Sequence, residues 1–478
     1  MSRLTTVFFA MVVLLNLLYN ATFPLYFDEA YYWVWSQHLQ LSYFDHPPMI
    51  AYLIRVATLF GAGEWQIRLV PLFCSILAGL GIWRLASDLY GSQVGTKALV
   101  IFLTVPLAQL GFSLATPDAP LILGWTAVIF FVYKAVFEEK RGFYYAAGLA
   151  AGFTLLAKYT GVLLLPGLLL FFLFSNRRDE LCRKEPLAGI GLALLLFLPV
   201  LIWNAGHDWS SFLFQLNHGL ADKKVLNLAT FGEYLGVQAA GMGPLLFFSL
   251  LYLLACKFRL LVSDERQAFL LWPCVTVLTF FGYAALFKRV EGNWAAPAYV
   301  TGIILVAKWL DSTKRIWLYR TGIAMALAMT LLLKVPEVFD FLPPPLVLKQ
   351  QVLGYDAMFQ AGGRYLGNDA SLVLASDYKI ASLAWYYLPG QPTVHVLTAS
   401  RFSQFDFWRE GLRGQMGANA IFFGSAEQEE ELARLFTEVI PLDPLSYSDR
   451  YVSREIKVYR CQGLRIIPGS SSGFQPSR

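Results

Sequence analysis

The sequence predicts a polytopic α-helical membrane protein of about eleven spans, followed by a C-terminal α/β domain outside the membrane. Three observations lead there. Of its 478 residues, 56% are hydrophobic and only 15% charged, too apolar for a chain whose whole surface must stay wet. Apolar stretches of roughly 20 residues, the length that crosses about 30 Å of hydrocarbon, recur from the first residues to about Val335. After about Gly354 the hydropathy falls and short apolar runs take over.

In order, the expected spans are Leu4–Phe23, Ile67–Tyr90, Gly95–Leu114, Ala119–Phe137, Phe143–Ala157, Gly161–Phe174, Leu187–Trp203, Tyr234–Ala255, Ala268–Phe287, Trp294–Trp309 and Tyr319–Val335. The first lacks a small-residue cleavage site and reads as a retained span. Phe143 to Phe174 reads either as one long tilted helix or as two short ones split at Lys158-Tyr159. Charge decides for two: Arg141 precedes the stretch and Arg177, Arg178, Arg183 and Lys184 follow it. Both clusters obey the positive-inside rule only after an even number of crossings. The same rule places Arg84/Lys97, Lys257/Arg259/Arg266 and Lys308/Lys314/Arg315/Arg320 in the cytoplasm, with everything after Pro336 outside.

The external segments are then Pro24–Gln66, Ala115–Pro120, the Lys158 turn, Asn204–Glu233, Lys288–Asn293 and the C-terminal region. Within the first, Asp28 to Leu39 is aromatic-rich and sparsely charged, the make-up of a helix lying at the membrane interface. Residues 1–335 thus form the membrane domain, with its long first external loop at 24–66. Residues 336–353 form a linker, marked by the stiff run Leu342-Pro343-Pro344-Pro345. The outer domain covers 354–467 and a disordered tail 468–478.

In the outer domain, strands are expected at Leu372–Ala375, Val394–Leu397, Ala420–Phe423, Val439–Leu442 and Ile456–Tyr459, alternating with helices at Lys379–Tyr387 and Ala426–Phe436. It has no glycine-rich phosphate loop. Cys74, Cys182, Cys256, Cys274 and Cys461 show no CxxC spacing, and only Cys461 falls in this domain, so no internal disulfide is expected there. The net charge of +5 is small. With Lys and Arg lying mainly between spans, it points to orientation signals and away from nucleic acid.

Chemistry-bearing residues gather in the external segments. Asp28 and Glu29 follow the first span, at the positive end of the expected interfacial helix, where Asp28 reads either as a helix cap or as a functional acid. Tyr43-Phe44-Asp45-His46-Pro47-Pro48 holds an acid and an imidazole on a proline-stiffened bend, suited to phosphate or metal contact or to a plain surface turn. Asp118, in Thr116-Pro117-Asp118-Ala119-Pro120, sits close to hydrocarbon. It is either a cap of the following helix or a functional acid facing a wet cavity. Lys158, Lys288 and Arg289 run against the positive-inside preference, which asks for an anion; a lipid phosphate fits, and snorkelling to headgroups is the bland alternative. His207 and His218 make the loop after Trp203 histidine-bearing. Together with Asp45 and His46 they are candidate ligands for a divalent metal, although no HxxxH or HExxH spacing supports one.

Taken jointly, the Asp-Glu cluster after the first span, the YFDHPP bend and the TPDAP, AKYTG and GNWAAPAY segments resemble the GT-C superfamily of integral-membrane glycosyltransferases. More closely, they resemble the bacterial branch that includes the aminoarabinose transferases acting on lipid A and relatives of protein O-mannosyltransferases. The SDYKIASLAWYYLPGQP stretch is similar to bacterial relatives too. The resemblance implies that Asp28 is the key acid with Glu29 its companion, and that Asp118 is the second acid of the family. At the bend, His46 stands where the aminoarabinose transferases carry Lys, so a permanent phosphate contact becomes a titratable one. That shifts the donor phosphate toward Lys158, Lys288 and Arg289, with Tyr43, Asp45, His207, His218, Asn293 and Trp294 expected around the substrates.

What the resemblance implies is a polyprenyl-phosphate-linked sugar donor, a lipid A, other glycan or protein acceptor, no required cofactor, and a bacterial inner-membrane location with the outer domain in the periplasm. Asp28 is then the general base, and direct displacement of the phosphate inverts the anomeric carbon. The alternative from another class is a transporter or flippase of a lipid-linked sugar, which calls for charged residues in mid-span.

Overall fold

The computed structural model describes residues 1–219, 225–335, 351–367, 372–397, 401–412 and 414–467. Residues 336–350 of the expected linker, with its proline run, and the C-terminal tail lie outside them.

Six helices among the described residues are long and apolar enough to cross a membrane: Arg3–Asn20, Glu64–Tyr90, Asp118–Phe137, Lys184–Ala205, Glu265–Ala285 and Ile316–Lys334. The chain is a multi-pass membrane protein. Where the sequence predicted about eleven spans of regular length, several are shorter or broken, and each break has a local cause. The expected span Tyr234–Ala255 is two helices, Leu228–Met242 and Pro244–Cys256, bent by 115°. Gly243 takes φ +78° there, which a side chain would oppose, and Pro244 starts the second helix because it has no N–H to continue the first. Gly95–Leu114 is likewise interrupted before Pro106. The helix Phe143–Ala157 stops at Lys158, which is extended (φ −157°, ψ 140°) and leads into a 3-10 turn, Tyr159–Leu163.

The basic clusters assigned to the cytoplasm meet at one end of the bundle, tied by ion pairs that link helix to helix. Lys97 pairs with Asp311, Lys134 with Asp88 and Arg177 with Glu265. Near the other end, Lys334 closes the last long helix without a carboxylate partner among the described residues. Its ammonium donates to Asn16 and to Ser113 Oγ (2.8 Å) and lies over the Tyr19 ring. These contacts tie the last long helix to the first, a buried cation being tolerable only when dipoles replace its water.

The outer domain holds a five-stranded sheet of order β2-β1-β3-β5-β4, with β1 at Leu372–Ala375, β2 at Val394–Val396, β3 at Ala420–Gly424, β4 at Phe436–Ser448 and β5 at Ser453–Leu464. β1 pairs in parallel with β2 and β3, whereas β5 runs antiparallel to β3 and β4. The hairpin is much longer than the two apolar runs that announced it. β4 is an edge strand, half in water, which tolerates Pro441 and Pro444 and a bulge between Leu442 and Leu445. Alternation decides the faces: Leu372, Leu374, Ala420 and Phe422 pack beneath the helix Glu429–Leu435. Val373, Ala375, Ile421 and Phe423 pack toward the helix Tyr378–Tyr387.

That second face continues into the membrane domain's first loop. The helix Phe27–Gln37, expected to lie on the bilayer surface, is instead enclosed: Ala30 through Ser36 are all buried. Trp33 meets Tyr386 edge-on, and the Tyr387 hydroxyl accepts from Leu25 N–H (2.6 Å) while donating to Glu64 (2.7 Å). A helix carrying five aromatic rings in the nine residues from Phe27 to Trp35 has little polar face to offer water, so the outer domain covers it.

Candidate active site

Where the broken helix ends, the first loop and the outer domain meet, they enclose a cavity of about 1440 Å³. Its wall includes the polar residues Asp28, Asp45, His46, Asp118 and Lys158. Apolar residues also line it, Leu107, Leu163, Phe197, Val237, Phe281 and Leu333 among them.

Asp118 opens the helix Asp118–Phe137, and both its oxygens are taken. Lys158 Nζ donates to Oδ1 (2.8 Å) and Asn293 Nδ2 to Oδ2 (2.7 Å). The acid is therefore held by two other elements, both at helix breaks: Lys158 at the end of Phe143–Ala157, Asn293 in the 3-10 turn Gly292–Ala295. This is more than a cap of its own helix, whose first residue it is.

Asp28 differs. Its carboxyl makes no hydrogen bond or ion pair within the described residues, and it does not cap its helix, since the capping carboxylate is Glu29, which accepts from Tyr26 N–H (3.0 Å). Burial, reinforced by the negative charge of Asp45, pushes Asp28 up to about 7, against the opposing pull of Arg401 and Lys379. A carboxyl that changes charge near neutrality and faces a cavity is equipped to take a proton.

Glu29 does not sit beside Asp28 in the cavity, as the resemblance implied. Helical geometry turns neighbouring side chains apart, and Glu29 points inward to Arg68; both are fully buried. Arg68 spends all five donors: Nε and Nη2 on Glu29 (3.0 and 2.8 Å), Nη1 on Asn20 O and Phe23 O, and Nη2 again on Pro24 O. Glu29 also accepts from Ala115 N–H (3.0 Å), three residues before Asp118. The pair thus staples the exit of the first span, the Asp28 helix and the Asp118 turn into one unit.

Asp45 lines the cavity, its Oδ2 accepting from Tyr31 (2.7 Å) and its Oδ1 paired with Arg401 of the outer domain. Burial raises its protonation range and Arg401 lowers it. His46 also lines the cavity, 6.2 Å ring to ring from Tyr32. Trp294 is at the wall, with Lys288 Nζ 5.4 Å from its ring centre.

Several expected contacts are placed elsewhere. Tyr43 is stacked on Trp35 (4.2 Å) with its hydroxyl on the backbone of that same loop. His207 stacks on Trp203 at 3.9 Å, Nδ1 against the Trp203 carbonyl. Arg289 reaches outward to Glu233, both largely exposed, and neither it nor Lys288 lines the cavity. His218 lies in the helix Ser210–Gly219, its side chain outside what is described. Among the described residues no group of three His, Cys, Asp or Glu side chains is gathered to hold a metal ion.

Arg68, Tyr31, Tyr378 and Arg401 escaped the sequence reading, although Tyr378 lies in the SDYKIASLAWYYLPGQP stretch. Arg401 comes from a different domain and no local pattern marks it.

The bundle with helices broken at the cavity, the long capped first loop and the outer mixed sheet define an integral-membrane protein of the GT-C type in fold. Residues 45–203 match the family described as dolichyl-phosphate-mannose-protein mannosyltransferase. Over 304 residues the chain is 29% identical to the lipid A galacturonosyltransferase RgtD of Rhizobium johnstonii, covering 63% of this chain and 62% of that protein, less than two thirds of its length. Among solved structures it is similar to ArnT from Cupriavidus metallidurans in the apo state, with TM-score 0.68 and 14% identity over 95% of this chain and 97% of that one. It is equally similar to ArnT bound to undecaprenyl phosphate, with TM-score 0.67 and 15% identity over 98% and 99%. The resemblance drawn from the motifs holds, and at that identity the likeness to ArnT is one of fold.

Proposed function

We propose that this chain is a glycosyltransferase that moves a sugar from a polyprenyl-phosphate carrier to lipid A or another envelope glycolipid at the periplasmic face of the inner membrane. One observation carries the reading: Asp28, whose carboxyl has no hydrogen bond or ion pair among the described residues and is pushed up to about 7 by burial, faces a cavity lined by both polar and apolar residues. The apolar lining suits an isoprenoid chain and the polar lining its phosphate and sugar. The lipid A activity named for the RgtD relative and the undecaprenyl phosphate bound in ArnT support the choice of acceptor and carrier.

In the proposed step, Asp28 takes the proton of an acceptor hydroxyl as its oxygen bonds to the anomeric carbon. The bond from that carbon to the phosphate oxygen breaks, and the lipid phosphate leaves with the electron pair. Asp118, clamped by Lys158 and Asn293, orients the sugar; no cofactor is invoked. Direct displacement inverts the anomeric carbon, and proton NMR of the product is expected to show the configuration opposite to the donor's. Retained configuration would sink the single-step scheme.

Lys158→Met removes one of the two groups holding Asp118 and is expected to lower turnover about a hundredfold, the scale of losing one preorganised polar contact. Turnover by the purified variant equal to wild type would detach Asp118 from the reaction. The function itself is tested by mass spectrometry of lipid A and envelope glycans from cells with and without the gene. A sugar increment lost with the gene is expected, and identical glycan profiles would overturn the reading.

A further inference from the structure

We infer that Arg401, carried by the outer domain, is the guanidinium that receives the phosphate of the lipid carrier, exchanging its resting partner Asp45 for that phosphate. The inference rests on the transferase reading above and adds to it a binding residue from outside the membrane domain.

Among the described residues, two permanent cations line the cavity, Lys158 and Arg401. Lys158 is committed: it is buried, and its ammonium is what fixes Asp118. Arg401 is not. Its side chain is 48% exposed, and among the described residues only two of its N–H groups are engaged, one on Asp45 and one on the Tyr378 hydroxyl (3.2 Å). The other donors of a five-donor fork remain for a ligand, and the planar fork matches two phosphate oxygens.

The guanidinium is also held in place. It rests 5.0 Å from the Phe214 ring centre and 5.2 Å from that of Tyr378, two residues that line the same cavity. Its partner Asp45 does not depend on it for position, because Tyr31 holds the second oxygen and the Asp45 carbonyl accepts from Gln215 (2.6 Å). Arg401 and Asp28 line the same cavity. The anionic carboxylate of Asp45 marks where a phosphate oxygen would be welcome, and His46 alone at the bend supplies no permanent charge.

The test is binding of a short-chain polyprenyl phosphate, with no sugar attached, to the full chain in detergent, read by calorimetry beside donor and acceptor KM values. Arg401→Gln is expected to weaken binding by about tenfold or more and to raise the donor KM while the acceptor KM stays put. Arg401→Lys, which keeps the charge and loses the fork, should fall between, and Asp45→Asn, which releases Arg401, should tighten binding. Unchanged affinity in Arg401→Gln, or a rise confined to the acceptor KM, overturns the assignment and in the second case moves Arg401 to an anionic group of the acceptor. A wild-type chain that binds no polyprenyl phosphate overturns the transferase reading along with it.

Discussion

Asp28→Asn protein is expected to insert and fold as wild type does and to lose transfer by about a thousandfold, within the range that a positioned general base contributes. Folding is spared because, among the described residues, the carboxyl makes no hydrogen bond or ion pair that the amide would break. The same residue is expected to set the pH profile. With its proton equilibrium pushed up to about 7, Asp28 is ionised above that pH and protonated below it. Turnover should therefore climb with pH through about 7 and level off, roughly a tenth of the plateau remaining one unit below. Stability runs the other way. Between the ordinary 3.8 and about 7 the folded chain keeps a proton that the unfolded chain has released, so this carboxyl's contribution falls as pH rises across that window. At pH 8, Asp28→Asn should melt above wild type. A variant that transfers normally, or a rate flat from pH 6 to about 8, removes Asp28 from its role.

Arg68→Ala is expected to cost about 3–5 kcal/mol, a large part of the roughly 5–15 kcal/mol that holds a typical domain together. It leaves the Glu29 carboxylate buried with no counter-charge and orphans the carbonyls of Asn20, Phe23 and Pro24. Glu29→Ala should do comparable damage, stranding the guanidinium. The two adjacent acids thus separate by sign: removing the charge of one raises the melting temperature, removing the other lowers it. Melting in detergent checks both, and an Arg68→Ala protein as stable as wild type would mean that the pair is not the staple described.

What could be read in advance follows a physical rule. A carboxylate or ammonium at the edge of hydrocarbon is expensive, so Asp28, Asp118 and Lys158 stood out from short external motifs, and the structure gathers all three in one cavity. Asn293 sits with them for the same reason of position. Glu29 carried the same cost, but its remedy, Arg68, lies a loop away and nothing local pairs them. Lys288 and Arg289 were marked only by breaking an orientation rule; that rule says a charge is outside, not where its side chain points, and Arg289 points to Glu233. The bend at Gly243-Pro244 had a visible signal in its Gly-Pro pair, yet averaging hydropathy along the stretch hides a break that leaves composition unchanged. Arg401 was unreadable because its meaning arises only when two domains close on each other.

That closure also imposes an order on biogenesis. The aromatic helix near the start of the chain is matched to a cover made near its end, Leu25 and Tyr387 being 362 residues apart. While the intervening spans are still being threaded, the rings of Trp33 and Trp35 must be shielded by lipid or by a chaperone. Docking of the later-synthesised outer domain then follows insertion of these spans, and a ribosome that stalls short of it leaves an inserted bundle with an open, adhesive crown.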